Sequence, residues 1–159
     1  MTFNVPVLLV VLFILKHLVC DFFLQSNYQA SHKHVFLHPG GILHAAINGI
    51  GTAVVVAIAA PGVGIPIALW LGLADMFSHY AIDFMKMNVN EVFKLDTSQA
   101  TYWRVLAIDQ ALHWIMYAVF MVYVASRALV YGPFVFLTVC FSVITVGATM
   151  YATSQHIRG

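Results

Sequence analysis

Eight side chains able to bind a metal or move a proton interrupt segments that are otherwise apolar. They are His17 and Asp21, then His44, then Asp75, His79 and Asp83, then Asp109 and His113. Imidazole with carboxylate is a common ligand set for zinc, manganese or iron. Most of the spacings are i, i+4, which places each set as one stripe on one face of a helix. Ligands paired about one turn apart on facing helices are a known way to build a two-metal site in a bundle. A charged group at the centre of a membrane helix costs roughly 2.5–3.5 kcal/mol on insertion scales. Four segments carry such groups, so a shared compensation is expected.

The chain that must position them has 159 residues, of which 62% are hydrophobic and 8% charged. Soluble domains average about 25% charged residues. A chain with so few cannot cover a globular surface with polar groups, so the composition predicts an all-α, polytopic membrane bundle forming one domain over residues 1–159. A helix needs about 20 mostly apolar residues to span a bilayer. Five segments qualify: Val5–Gln25, Gly41–Ala60, Ile65–Met87, Tyr102–Ser126 and Pro133–Ser154. The breaks between them, "HPGG", "APGVGIP" and "YGP", have turn chemistry. The longest polar stretch, Asn88–Thr101, has room for a short interfacial helix. The first segment lacks a basic region before Val5 and a small residue at Val19, so it is expected to be a retained anchor and not a cleaved signal. Net charge is +1, with no basic patch to suggest nucleic acid. Cys20 and Cys140 make no zinc or disulfide pattern.

With five spans, one side of the membrane collects Lys33, Lys86, Lys94, Arg104 and Arg158, and the other only Arg127. The richer side is the cytoplasmic one. This puts the N-terminus outside, the C-terminus in the cytoplasm, and the protein in the inner (plasma) membrane as a multi-pass chain. Every polar stripe then falls in the cytoplasmic half of the bilayer. Four carboxylates, Asp21, Asp75, Asp83 and Asp109, would repel strongly in a low-dielectric bundle unless protonated, hydrated or neutralised. Two divalent ions would supply four positive charges. Zinc heads the candidates, with manganese, iron and magnesium behind it.

A single His–Asp pair at a membrane helix end is ordinarily a hydrated or hydrogen-bonded interfacial pair. Three pairs plus His44 at one depth favour a shared site. The expected ligands are His17, Asp21, His44, His79, Asp83, Asp109 and His113, with Asp83 and Asp109 as the catalytic carboxylates. Lys33 and Lys86 are placed to hold a substrate anion. Gln25, Asn48, Asp75 and Gln110 are expected to support the ligands. Lys16 is expected to snorkel, Cys20 to pack, and His32, His34 and His38 to be solvated loop residues.

The segments "HLVCDFFLQ", "LHAAINGI", "SHYAIDFMK" and "IDQALHW", in that order, resemble a bacterial and phage family of small integral membrane proteins of unknown function. That family is similar in pattern to inner-membrane metal-dependent hydrolases called LexA-binding. The resemblance spans about Lys16 to Trp114. It implicates His17, Asp21, Gln25, His44, His79, Asp83, Lys86, Asp109, Gln110 and His113, with Lys33 as a loop counterpart; Asp75 has none. It implies a metal-dependent hydrolase.

Four functions compete. A hydrolase at the cytoplasmic face would act on a phosphorylated or lipid-linked substrate through metal-activated water. A metal-ion or proton transporter would use the same groups as a pathway, although the fifth span, "PFVFLTVCFSVITVGATMYATS", offers no ionisable group. A haem protein would pair His17, His44, His79 and His113 as axial ligands, and would not need their carboxylate neighbours. A non-catalytic interaction protein would use the polar core to fix helix register. The bilayer is the expected partner, and a homo-oligomer is compatible with all four.

Overall fold

The computed structural model describes residues 5–125, and their regular structure is helical throughout. Helix α1, Val5–His17, runs on without a break into a π-helical turn, Leu18–Phe23. The Leu24 N–H donates to the Val19 carbonyl at 2.9 Å, one residue further back than an α-helix allows. Such widened turns recur at functional sites. A short helix α2, Asn27–Ser31, follows. Ser26 and Gln29 form a capping box at its start, each side chain bonded to the other's backbone N–H.

Helix α3, Pro39–Ala59, begins with proline at its first position, where the missing N–H is no loss. The His38 ring accepts from the Gly40 N–H at 3.1 Å. Pro61–Val63 makes one 3-10 turn, and helix α4 covers Ile65–Phe93. It stops at Lys94, whose φ of 50° is left-handed; the Leu95 N–H then closes on the Asn90 carbonyl at 2.9 Å. In the next turn the Ser98 hydroxyl and N–H bond the Asp96 carboxylate and hold its pKa below the ordinary value. Helix α5 is Ala100–Ala125.

Among the described residues, four helical stretches are long and apolar enough to cross a membrane: Val5–Phe23, Pro39–Ala59, Ile65–Phe93 and Ala100–Ala125. They match the first four expected spans. The fifth, Pro133–Ser154, lies outside the described residues. The third runs six residues past its expected end at Met87, because Asn88 and Asn90 are buried and the Asn88 amide donates to the Phe84 and His34 carbonyls. The polar stretch after Met87 therefore continues α4 and then turns. The short helix between spans is α2, in the preceding loop.

Helices α3 and α4 touch backbone to backbone at a glycine pair. A Cβ on Gly49 would lie 2.5 Å from the Gly72 carbonyl oxygen, and one on Gly72 2.7 Å from that of Gly49. Small residues at such a crossing let membrane helices pack without side chains between them. The approach brings His44 and Thr52 on α3 alongside Asp75 and His79 on α4. One half of the bundle core is apolar, built from Leu9, Phe13, Val56, Leu71 and Phe120. The other half is polar and equally buried, while Ile50, Ile58, Leu69, Phe77 and Ile108 face outward. An apolar exterior around a polar half-core is what lipid as solvent demands.

Candidate metal centre

The π turn, α3 and α4 aim four side chains at one point. His44 Nε2 lies 2.8 Å from Asp21 Oδ1 and 2.9 Å from His79 Nε2. His79 Nε2 is 3.2 Å from the same Asp21 oxygen. Asp83 Oδ2 closes the set at 3.2 Å from His44 Nε2 and 3.3 Å from His79 Nε2. All four residues are buried. Ligands 2.0–2.1 Å from a tetrahedral ion lie about 3.4 Å apart, so this set is only slightly contracted from that geometry.

A second group shares Asp83. Its other oxygen, Oδ1, lies 3.9 Å from His113 Nε2, which is 3.7 Å from Asp109 Oδ1. His113 Nε2 and Asp109 Oδ1 are both buried and have no hydrogen-bond partner among the described residues. A buried acceptor left unmade is costly. A cation between these atoms would satisfy both, so the donor set fits a metal here as well. Asp83 thus presents one oxygen to each group, as a carboxylate bridging two ions would. The Nδ1 atoms of His44 and His79 lack a partner among the described residues.

Two lysines flank the groups. Lys33, just beyond α2, reaches Asp83 Oδ2 at 2.8 Å and is buried; Lys86 on α4 stands 3.5 Å from Asp109 Oδ2. The loop that carries Lys33 is pinned where Leu37, with a φ of 54°, donates its N–H to the Tyr80 hydroxyl at 2.6 Å.

His17 stands beside this cluster, outside both groups. Its Nε2 faces Gln110 Oε1 at 2.8 Å, its Nδ1 faces the Tyr117 hydroxyl at 3.2 Å, and Asp21 is 3.8 Å away. Gln110 in turn donates to Asp109 Oδ2 at 3.0 Å. Asn48 is buried against His44, with its amide 3.3 Å from Nε2. Gln25 is half-buried in the connection before α2.

Asp75 supports a different partner. Lys16 Nζ is 2.7 Å from Asp75 Oδ2, the side chains being 2% and 1% exposed, and the Thr52 hydroxyl donates to the same oxygen at 2.7 Å. Lys16 also donates to the Tyr117 hydroxyl at 3.0 Å. The expectation that Lys16 snorkels is therefore corrected: one turn deeper than Asp21, a buried carboxylate is nearer than water. Cys20 packs on Gly51, as expected. The loop histidines stay out of the cluster. His32 stacks on His38 at 4.1 Å, and partial burial with the neighbouring His32 and His34 lowers the His38 pKa, which suits its role as an acceptor at the α3 N-terminus.

Fold and site together define a helical membrane bundle whose core holds a buried His/Asp cluster able to bind metal. The chain matches, over residues 9–140, the family described as "Protein of unknown function (DUF3307)", and it belongs to that family. No curated protein and no solved structure matches it.

Proposed function

We propose that the chain is a membrane-embedded, metal-dependent hydrolase with a two-metal His/Asp site in the cytoplasmic half of the inner membrane. The observation that carries this reading is Asp83, with Oδ2 on the Asp21–His44–His79 set and Oδ1 toward His113 beside Asp109. A shared carboxylate is how paired ions are held about 3.5–4 Å apart for displacement at phosphorus. The ligands are Asp21, His44, His79 and Asp83 for one ion, and Asp83, Asp109 and His113 for the other. Zinc, manganese, iron and magnesium all suit His with carboxylate to differing degrees, zinc best for the histidine-rich first set. Ions bound there would acidify a water and polarise a phosphoryl or carbonyl oxygen.

The chain's own groups divide the remaining work. Lys33 and Lys86 flank the cluster and suit a phosphate between them. Asp109 Oδ1 would hold the second ion, which leaves Oδ2, beside Lys86 and the Gln110 amide, as the oxygen to take a proton from water. His17 holds Gln110, and Gln110 holds Asp109.

The test is turnover of a chromogenic phosphate monoester by the purified chain in detergent. Turnover should require divalent metal, stop with chelator and disappear in Asp83→Asn. Metal-loaded protein without turnover of this or a carboxylic ester would overturn the hydrolase reading. A transport reading draws on the hydrogen-bonded chain that continues past the cluster through Tyr117 and Lys16 to Asp75. Metal flux into proteoliposomes would support it. The apolar core of Leu9, Val56, Leu71 and Phe120 beyond that point weighs against it.

A further inference from the structure

Beside the second ligand group, helices α4 and α5 part to leave a cavity of about 320 Å³. Its walls are Ile82, Met85 and Val89 on α4 and Val105, Ile108 and Leu112 on α5, with only Lys86 and Asp109 polar. On each helix the lining spans eight residues, seven steps of about 1.5 Å that make a length of about 10 Å. The slot's surface is apolar throughout: Lys86 and Asp109 meet it with their carbon atoms, and their charged ends pair with each other at its border with the candidate metal centre.

Lys86 gives the slot a sign. Its side chain is 17% exposed, and its ammonium is 3.5 Å from Asp109 Oδ2, longer than the 2.7–2.9 Å of a full charge-assisted hydrogen bond. Asp109 Oδ2 is already shared with the Gln110 amide. The ammonium therefore keeps donors for another anion, in a wall where a cation is otherwise costly. A ligand that matched both features would be apolar along most of its length and anionic at one point.

We infer that this slot binds the alkyl chain of a phosphate-bearing lipid, with the phosphate on Lys86 and against the Asp83–Asp109–His113 group. The substrate class is then an alkyl or isoprenyl phosphate ester, and free sugar or nucleotide phosphates are poor ligands. This assignment rests on the metal-centre reading for the placement of the head group. The slot itself stands on α4 and α5 alone.

The experiment is equilibrium binding of labelled decyl phosphate to the full chain in phosphatidylcholine nanodiscs, with empty nanodiscs subtracted for partitioning. Inorganic phosphate and decyltrimethylammonium are the comparison probes. Metal content is measured on the same samples. Decyl phosphate should saturate one site, tighten about fourfold per added methylene until the slot is full, and weaken at least tenfold in Lys86→Met. Val89→Trp, which plugs the slot six residues along α4 from Asp83, should weaken it at least tenfold with metal content unchanged. Val89→Phe repeats the test should the tryptophan misfold. Inorganic phosphate binding as tightly as decyl phosphate would overturn the inference. So would unchanged decyl phosphate binding in both plugged variants, or no saturable binding at all, the result expected where the chain's own C-terminal apolar segment fills the slot. Metal-free protein that still binds decyl phosphate through Lys86 would sink the hydrolase reading and leave the slot standing.

Discussion

The buried Lys16–Asp75 pair offers the most quantitative test of the packing. Lys16→Met leaves Asp75 with Thr52 alone, and with Oδ1 still lacking a hydrogen-bond partner among the described residues. Breaking one side of a buried ion pair costs about 3–5 kcal/mol. An ordinary hydrogen bond between membrane helices averages only about 0.6 kcal/mol. The 2.7 Å separation and the near-complete burial of both side chains decide for the larger figure. We expect Lys16→Met to cost about 3 kcal/mol. Asp75→Asn should cost somewhat less, because Lys16 retains the Tyr117 hydroxyl and lies 4.7 Å from the Tyr117 ring centroid. The double variant is neutral and keeps an acceptor for Thr52, so it should be no worse than Lys16→Met alone. The coupling energy is then about 2–3 kcal/mol, at the upper end for neighbouring groups. Reversible unfolding in mixed detergent micelles, followed by circular dichroism, measures all four proteins. Single effects that simply add would show that the pair contributes nothing beyond its parts, and would refute the reasoning.

Metal stoichiometry should follow the shared carboxylate: Asp83→Asn loses both ions, His44→Ala the first and His113→Ala the second, as read by elemental analysis of each variant. Equal, single losses in all three would dissolve the bridge. Gln110→Ala should weaken only the ion beside Asp109, by about 10–100-fold, since Gln110 orients that ligand without reaching the first set; competition with a metal-sensitive dye measures it. Gly49→Ala drives a methyl against the Gly72 carbonyl and should destabilise the fold by about 1–3 kcal/mol in the same unfolding assay. A neutral Gly49→Ala would mean that α3 and α4 do not meet there.

Much of this bundle follows from periodicity. Apolar length sets four helices, three of them to within two residues at each end and the third short by six, since little else can satisfy a backbone in lipid. The i, i+4 rule also placed Asp21, His44, His79, Asp83, Asp109 and His113 on inward faces that meet. Two things were less legible. Spacing along one helix says which residues share a face but not which partner on another helix they meet, so the stripes alone group His17 and Asp75 with the cluster. One helix over, Tyr117 and Gln110 hold His17, and Lys16 holds Asp75. Thr52 and Tyr117 extend the His44–Asn48 and Asp109–His113 stripes by one more turn, and that signal was present in the sequence. The π turn after His17 was not, because no residue type marks it. The end of α4 is not legible because Asn88 and Asn90 read as loop residues but are buried, with the Asn88 amide bonded to the turn that carries Lys33.

The proposed hydrolase stands or falls on whether two ions share Asp83 inside the bundle. Elemental analysis of the purified full chain, dialysed against metal-free buffer after loading with zinc or manganese, tests it most directly. Two equivalents per chain are expected, falling to none in Asp83→Asn. A folded wild-type protein that retains no metal would contradict it.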